Sequence, residues 1–210
     1  MKLLGMRTIL PGPISCRVSK RLVLQLTRNA CLLTSISETQ ISLFWDEKKF
    51  GFFSTPANQP DILLRLKDAL DNSEPSTNGL SAQNLFRLSS LLEDAEYAKL
   101  ASKTTSAFEA EILQHPFLFT SMMESIVAVR LGWRSIVVTG EGEDIESVVK
   151  HARSNIKGRQ TIARLKSNGG WLQQRNPLLK ELDATKARVQ VCESGTCRLL
   201  ENEALGTLFQ

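Results

Sequence analysis

The chain has 210 residues, 42% of them hydrophobic and 23% charged, which suits one domain or one and a half with a real core. Its formal net charge of +4 is uneven: residues 1–37 carry six basic and no acidic side chains, leaving 20 basic against 22 acidic in the rest. That balance gives no electrostatic reason to expect nucleic acid, and no apolar run approaches the roughly 20 residues that span a bilayer.

Residues 1–40 form an acid-poor leader with Arg, Ser, Thr and scattered leucines. Two readings stand: a mitochondrial transit peptide, or a stretch unrelated to the fold. In either case this leader is expected to be disordered or loosely packed. Pro11, Gly12 and Pro13 interrupt any compact apolar stretch of a secretory signal, so an intracellular location is favoured. From Ser42 to Thr55 the aromatics Phe44, Trp45, Phe50, Phe52 and Phe53 cluster. Such rings carry much buried area, and in sugar-handling proteins they stack on pyranose faces.

Asn58 to Pro60 breaks the chain, and Asp61 to Ala69 resumes an apolar pattern. A polar elbow follows, with Asp71, Asn72, Glu74, Ser76, Thr77 and Asn78. The spacing of Leu85, Leu88 and Leu92 predicts a helix over 80–92. Asp94 is placed to cap a second helix running to about Gln114, and the short link makes the two an antiparallel hairpin. Pro116 opens a third helix that Gly132 stops. After Trp133 the pattern changes to a strand over 135–139, a helix over 143–156 and a weaker strand over 161–165. This βαβ pattern predicts parallel strands. A turn at 167–170, a short helix over 177–182, a strand over 188–192 and a terminal helix over 201–209 complete the chain.

Lys67-Asp68-x-x-Asp71, then Pro75-Ser76-x-Asn78-Gly79 and a leucine-rich helix, form the central landmark. Phe44-Trp45-Asp46 and Gly51-Phe52-Phe53 precede it, and Val191-Cys192-Glu193-x-x-x-Cys197 follows. From about Leu43 onward these landmarks resemble the C-terminal part of a spermatogenesis-associated family. Its members join a thioredoxin-like domain to a six-hairpin α/α barrel. The thioredoxin-like domain and most of the barrel hairpins have no counterpart in these 210 residues. Ala69 stands where many members carry Gly or Val.

The resemblance implies a mainly α fold with an α/β appendage. Residues 41–132 would be the closing hairpins of an (α/α)6 glycosidase-like barrel, and residues 133–210 a small βαβ-containing subdomain. It also implies a carbohydrate-related role, with the reaction undefined. The alternative is a non-catalytic interaction module or a truncated product without activity of its own. A barrel tail would leave Leu85, Leu88, Leu92, Phe108, Met122 and Ile126 with too few neighbours, so self-association is expected.

Asp68, Asp71 and Asn78 are the candidate ligand residues. Paired carboxylates can act as acid and base on glycosides; they can equally cap helices and anchor a turn. Cys192 and Cys197 flank a glycine turn and are read as a disulfide, as two thiols, or as half of a metal site, though zinc would need two further ligands. No metal site or cofactor is predicted. The chain has no Cys-x-x-Cys, so thioredoxin-type reductase activity is not expected. Gly140-Glu141-Gly142 is read as a β-to-α turn, because Ile145 stands at the third glycine position and the flanking acids would repel a pyrophosphate. His115 is read as a loop histidine at a helix end.

Overall fold

A computed structural model of the chain describes residues 30–57, 59–154, 159–165, 170–193 and 196–200. The leader up to residue 29, most of the predicted turn at 167–170 and the terminal helix at 201–209 lie outside the described residues.

The first element is α1 (Ala30–Phe44), which buries Ala30, Leu33, Thr34 and Ser37 along one stripe. Residues 30–40 are therefore helical, where the sequence reads as a loosely packed leader. Their low charge and mixed polarity hide the i, i+3, i+4, i+7 pattern. An irregular stretch follows to Pro75. Next come α2 (Thr77–Leu92), α3 (Ala95–Ser106), the short α4 (Glu109–Gln114), a 3-10 turn over Pro116–Leu118 and α5 (Thr120–Leu131). Asp94 caps α3 as expected, accepting from the Glu96 amide. Pro116 opens only the 3-10 turn, and α5 begins four residues later.

The second half holds β1 (Arg134–Thr139), α6 (Glu143–Ser154), β2 (Gln160–Leu165), the short α7 (Trp171–Arg175) with a 3-10 turn over Pro177–Leu179, β3 (Arg188–Glu193) and β4 (Thr196–Leu200). The four strands make one mixed sheet in the order β2-β1-β3-β4. β1 and β2 are parallel, as the βαβ pattern predicts, while β3 runs antiparallel to both β1 and β4. The hairpin partner β4 escapes sequence reading because Cys192 to Cys197 looks like an isolated loop there.

Alternation along the strands divides the core. Ile136, Val138, Ile162, Val189 and Val191 face α6 and pack on Ile145, Val149 and Ala152. Val137, Ala163 and Leu165 face the other way, onto Leu85, Phe86, Leu88 and Leu91 of α2. The result is helices on both faces of a sheet. A third cluster, with Phe108, Ile112, Phe119 and Met122, sits under α4 and α5.

This arrangement corrects the barrel expectation. In a ring of hairpins each hairpin lies between two like neighbours. Here α2 is a central helix with twelve of its sixteen residues buried, packed by α1, α3, α5 and the sheet itself. The α2–α3 hairpin exists, but the sheet occupies the side where a next hairpin would stand. Leu85, Leu88, Leu92, Phe108 and Met122 are all covered within the chain, and Ile126 is half-buried. Leu85, Leu88 and Leu92 belong to a helix buried nearly all round, with the polar Asn78, Ser81, Gln83 and Asn84 buried beside the leucines.

Candidate functional site: the polar elbow

The elbow begins in an extended strip beside the aromatic loop. Arg65 donates from Nε and Nη2 to the Thr55 carbonyl at 3.1 and 2.8 Å, and its guanidinium lies 3.9 Å from the Phe53 ring centroid. Lys67 Nζ pairs with Asp46 Oδ2 at 2.8 Å and donates to the Phe50 carbonyl. Burial alone would raise the Asp46 carboxyl, but Lys67 and the amides of Lys48 and Lys49 outweigh it and bring it down to about 2. The loop turns at Phe50 and Gly51, both with positive φ. Trp45 packs edge-on against Phe52 at 5.2 Å. Phe52 is fully buried, and the other aromatics of the loop are half-buried around it.

Asn78 is the knot. It lies in the first turn of α2, completely buried. Its Oδ1 accepts from the Phe52 amide at 2.7 Å, while Nδ2 donates to the Phe52 carbonyl at 3.0 Å and to the Asp68 carbonyl at 2.7 Å. One amide side chain thus pairs with Phe52 as a neighbouring strand would, and both of its donors are spent. Its own backbone N–H also reaches the Asp68 carbonyl, at 3.2 Å.

Asp71 ties the same elbow to α5. Oδ1 accepts from the Ser76 amide at 2.8 Å and from the Ser121 hydroxyl at 2.5 Å. Oδ2 accepts from the Ser121 amide at 2.6 Å and the Thr120 hydroxyl at 2.8 Å. Phe119, at the N-cap of α5, has no side chain able to cap it. Asp71 supplies that cap from 50 residues away in sequence, with its charge at the favourable end of the helix dipole. Burial raises the Asp71 carboxyl, but hydrogen bonds from Ser121, Ser76 and Thr120 prevail and hold it below the usual carboxylate range. Ser76 meanwhile caps α2 by accepting from the Gly79 amide, and its hydroxyl meets that of Ser121 at 3.1 Å.

Of the three candidate residues, the fold joins Asn78 to the Asp68 main chain and sets Asp71 against Ser76, Thr120 and Ser121. The segment carrying Asp68 and Asp71 is not helical, so their three-residue spacing does not place them on a common helix face. The Asp68 side chain is exposed. Thr120 and Ser121 escaped sequence reading because their link to Asp71 is long-range. The readable signal was Ser76 as the N-cap of α2, which starts at Thr77, three residues before the predicted Leu80.

The other marked positions have plain placements. Cys192 and Cys197 are directly paired across β3 and β4 and joined as a disulfide. Gly140 turns the chain from β1 with φ +99°; a Cβ there would lie 2.8 Å from Ala187 Cα. His115 is exposed, with its ring edge-on to Phe117. Among the described residues no cluster of His, Cys, Asp or Glu could hold a metal ion, and no helix is long and apolar enough to cross a membrane.

Comparison with known proteins gives the landmarks a context. The chain is 27% identical over 170 residues to mouse spermatogenesis-associated protein 20, a match covering 78% of this chain and 22% of the relative. It is 28% identical over 168 residues to the human protein of that name, covering 77% of this chain and 21% of the relative. The chain is therefore related to spermatogenesis-associated protein 20 over most of its own length. It spans about a fifth of the length of these relatives. No family model matches the sequence, and no solved structure matches it.

Proposed function

We propose that this chain is a non-catalytic packing module of a protein similar to spermatogenesis-associated protein 20, and that its polar elbow is a structural clamp. The observation that carries this reading is the state of the elbow's polar atoms. Both oxygens of Asp71 and both donors of the Asn78 amide are engaged inside the chain. A carboxylate that works as acid or base on a glycoside must face its substrate, whereas Asp71 faces the start of α5.

The module's partner surface is the run Leu63, Leu64, Leu66 and Leu70, exposed at 103, 72, 63 and 45%. Such a run approaches the largest apolar patch of an ordinary monomer, about 300–600 Å2. It falls short of the roughly 800 Å2 per partner of a standard interface. The occupant proposed is a second copy of this chain, held weakly.

Two measurements test the reading together. Sedimentation should show a concentration-dependent monomer–dimer equilibrium that the pair Leu63→Ser and Leu64→Ser abolishes. Calorimetric titration with mono- and disaccharides should show no binding that depends on Asp71 or Asn78. A strictly monomeric chain refutes the self-association, and sugar binding lost in a folded Asp71→Asn variant refutes the clamp.

A further inference from the structure

Where the C-terminal end of α2 meets α3, α5 and the sheet, the layers part around a cleft of about 320 Å3. Its lining includes Phe86, Ser89, Ser102, Trp133, Ser135 and Glu93. Three features set it apart from a packing defect.

The first is the backbone at Glu93. This residue ends α2 in the left-handed conformation, with φ 53° and ψ 43°, where glycine is the favoured choice and other residues are strained. Only Phe50 shares a positive φ among the described non-glycine residues. Its amide closes the last turn of α2 on the Ser89 carbonyl, and this cap sets the Glu93 side chain at the mouth of the cleft.

The second is charge. Glu193, which also lines the cleft, is answered by Arg134 at 2.9 Å and Arg159 at 3.7 Å. Arg87 lies over the Trp133 ring at 5.5 Å, within the field of Glu124. The local cations are thus committed elsewhere. Glu93 is exposed at the mouth of the cleft and has no cationic partner among the described residues, and the burial it does have raises its carboxyl above the ordinary value.

The third is the set of hydroxyls. Ser90 spends its hydroxyl on the Arg87 carbonyl and Thr161. Those of Ser89, Ser102 and Ser135 make no hydrogen bond among the described residues. The cleft therefore offers an exposed carboxylate without a cationic partner at its mouth, three uncommitted hydroxyl oxygens and a wall that includes Phe86 and Trp133, stacked in parallel at 5.8 Å.

We propose that this cleft binds a small primary amine. Its ammonium would sit against the Glu93 carboxylate, with the serine oxygens accepting its remaining N–H bonds and its alkyl part lying along Phe86 and Trp133. An anion would meet Glu93 as a like charge. A neutral alcohol would use the hydroxyls but leave the carboxylate unanswered.

The test is an NMR titration of the full 210-residue chain with butylamine, using butanol and butyrate as the neutral and anionic isosteres. Butylamine should give saturable shifts confined to amides around the cleft, with a Kd in the millimolar range expected of so small a ligand. Glu93→Gln and Glu93→Gly should each weaken it at least tenfold, and Glu96→Gln should leave it unchanged. Glu93→Gly guards against mere unfolding, because glycine suits the left-handed backbone: its melting temperature should equal or exceed the parent's while binding is lost. Absence of saturable shifts, equal binding of butanol, or retention of binding in both Glu93 variants overturns the proposal.

Discussion

Replacing Asp71 by alanine removes one acceptor group from four donors at once. Two of them, the Ser76 and Ser121 amides, are fixed in the backbone and cannot turn elsewhere. Two, the Thr120 and Ser121 hydroxyls, can rotate toward water. Loss of an N-cap costs about 0.5–2 kcal/mol, and loss of the charge at the α5 N-terminus adds about 0.3–1 kcal/mol. A hydrogen bond to a charged group at the second amide adds roughly 1.5 kcal/mol at the low end of its range. Together these give about 3 kcal/mol, a large share of a typical stability of roughly 5–15 kcal/mol. In a chain of this size that lowers the melting temperature by roughly 6–12 °C. Asp71→Asn keeps one oxygen and should lose about half as much, while Asp68→Asn, at an exposed side chain, should stay within about 0.5 kcal/mol. Urea unfolding followed by circular dichroism reads all three. A loss below about 0.5 kcal/mol for Asp71→Ala would refute the reasoning, since it would mean that the carboxylate is not holding α5.

Other consequences follow from the same contacts. A Cβ at Gly79 would lie 2.0 Å from the Ser121 hydroxyl and 2.9 Å from that of Ser76, so Gly79→Ala should destabilise although glycine is ordinarily the poorer helix former; a raised melting temperature would contradict the geometry. Asn78→Ala strands the Phe52 amide and two carbonyls in the interior and should cost about 2–4 kcal/mol, measurable in the same unfolding assay. The folded carboxyls of Asp46, at about 2, and Asp71, also lowered, lie below the ordinary Asp value of about 3.9. Their stabilisation is complete above that value and is lost as pH falls through the folded pKa, so urea midpoints should drop between about pH 4 and 2, less steeply in Asp71→Ala. Reducing the Cys192–Cys197 disulfide, which closes a loop of six residues, should cost about 2 kcal/mol by loop entropy, seen as a lower midpoint in a reducing buffer.

Local signals in the sequence located most elements. Leu85, Leu88 and Leu92 marked α2, Asp94 marked the start of α3, and the Val-rich run before Gly140 marked β1. The layer order was not legible, because it depends on what covers α2, and a helix that buries Asn78, Ser81, Gln83 and Asn84 together with its leucines gives no clear direction to its neighbours. The barrel expectation failed there. At the elbow the sequence named Asp68, Asp71 and Asn78 but not their partners. Asn78 reads as a turn residue until Phe52, 26 residues earlier, is placed beside it, and Asp71 reads as a spare carboxylate until Ser121 arrives from a separate helix. Both contacts are products of tertiary packing, to which local propensity is blind. The β3–β4 hairpin was missed for a different reason, since two cysteines around a glycine suggest chemistry before they suggest a ladder.

Amide hydrogen exchange at Phe52, Ser76 and Ser121 tests the clamp most directly, because each of these N–H groups ends on a side-chain oxygen of Asn78 or Asp71. If the elbow is a structural clamp, all three should exchange as slowly as the core amides of α2, with no ligand present and no further slowing on adding sugars. Rapid exchange at all three in the free chain, with protection appearing only when a saccharide is added, would contradict it and mark the elbow as a binding site.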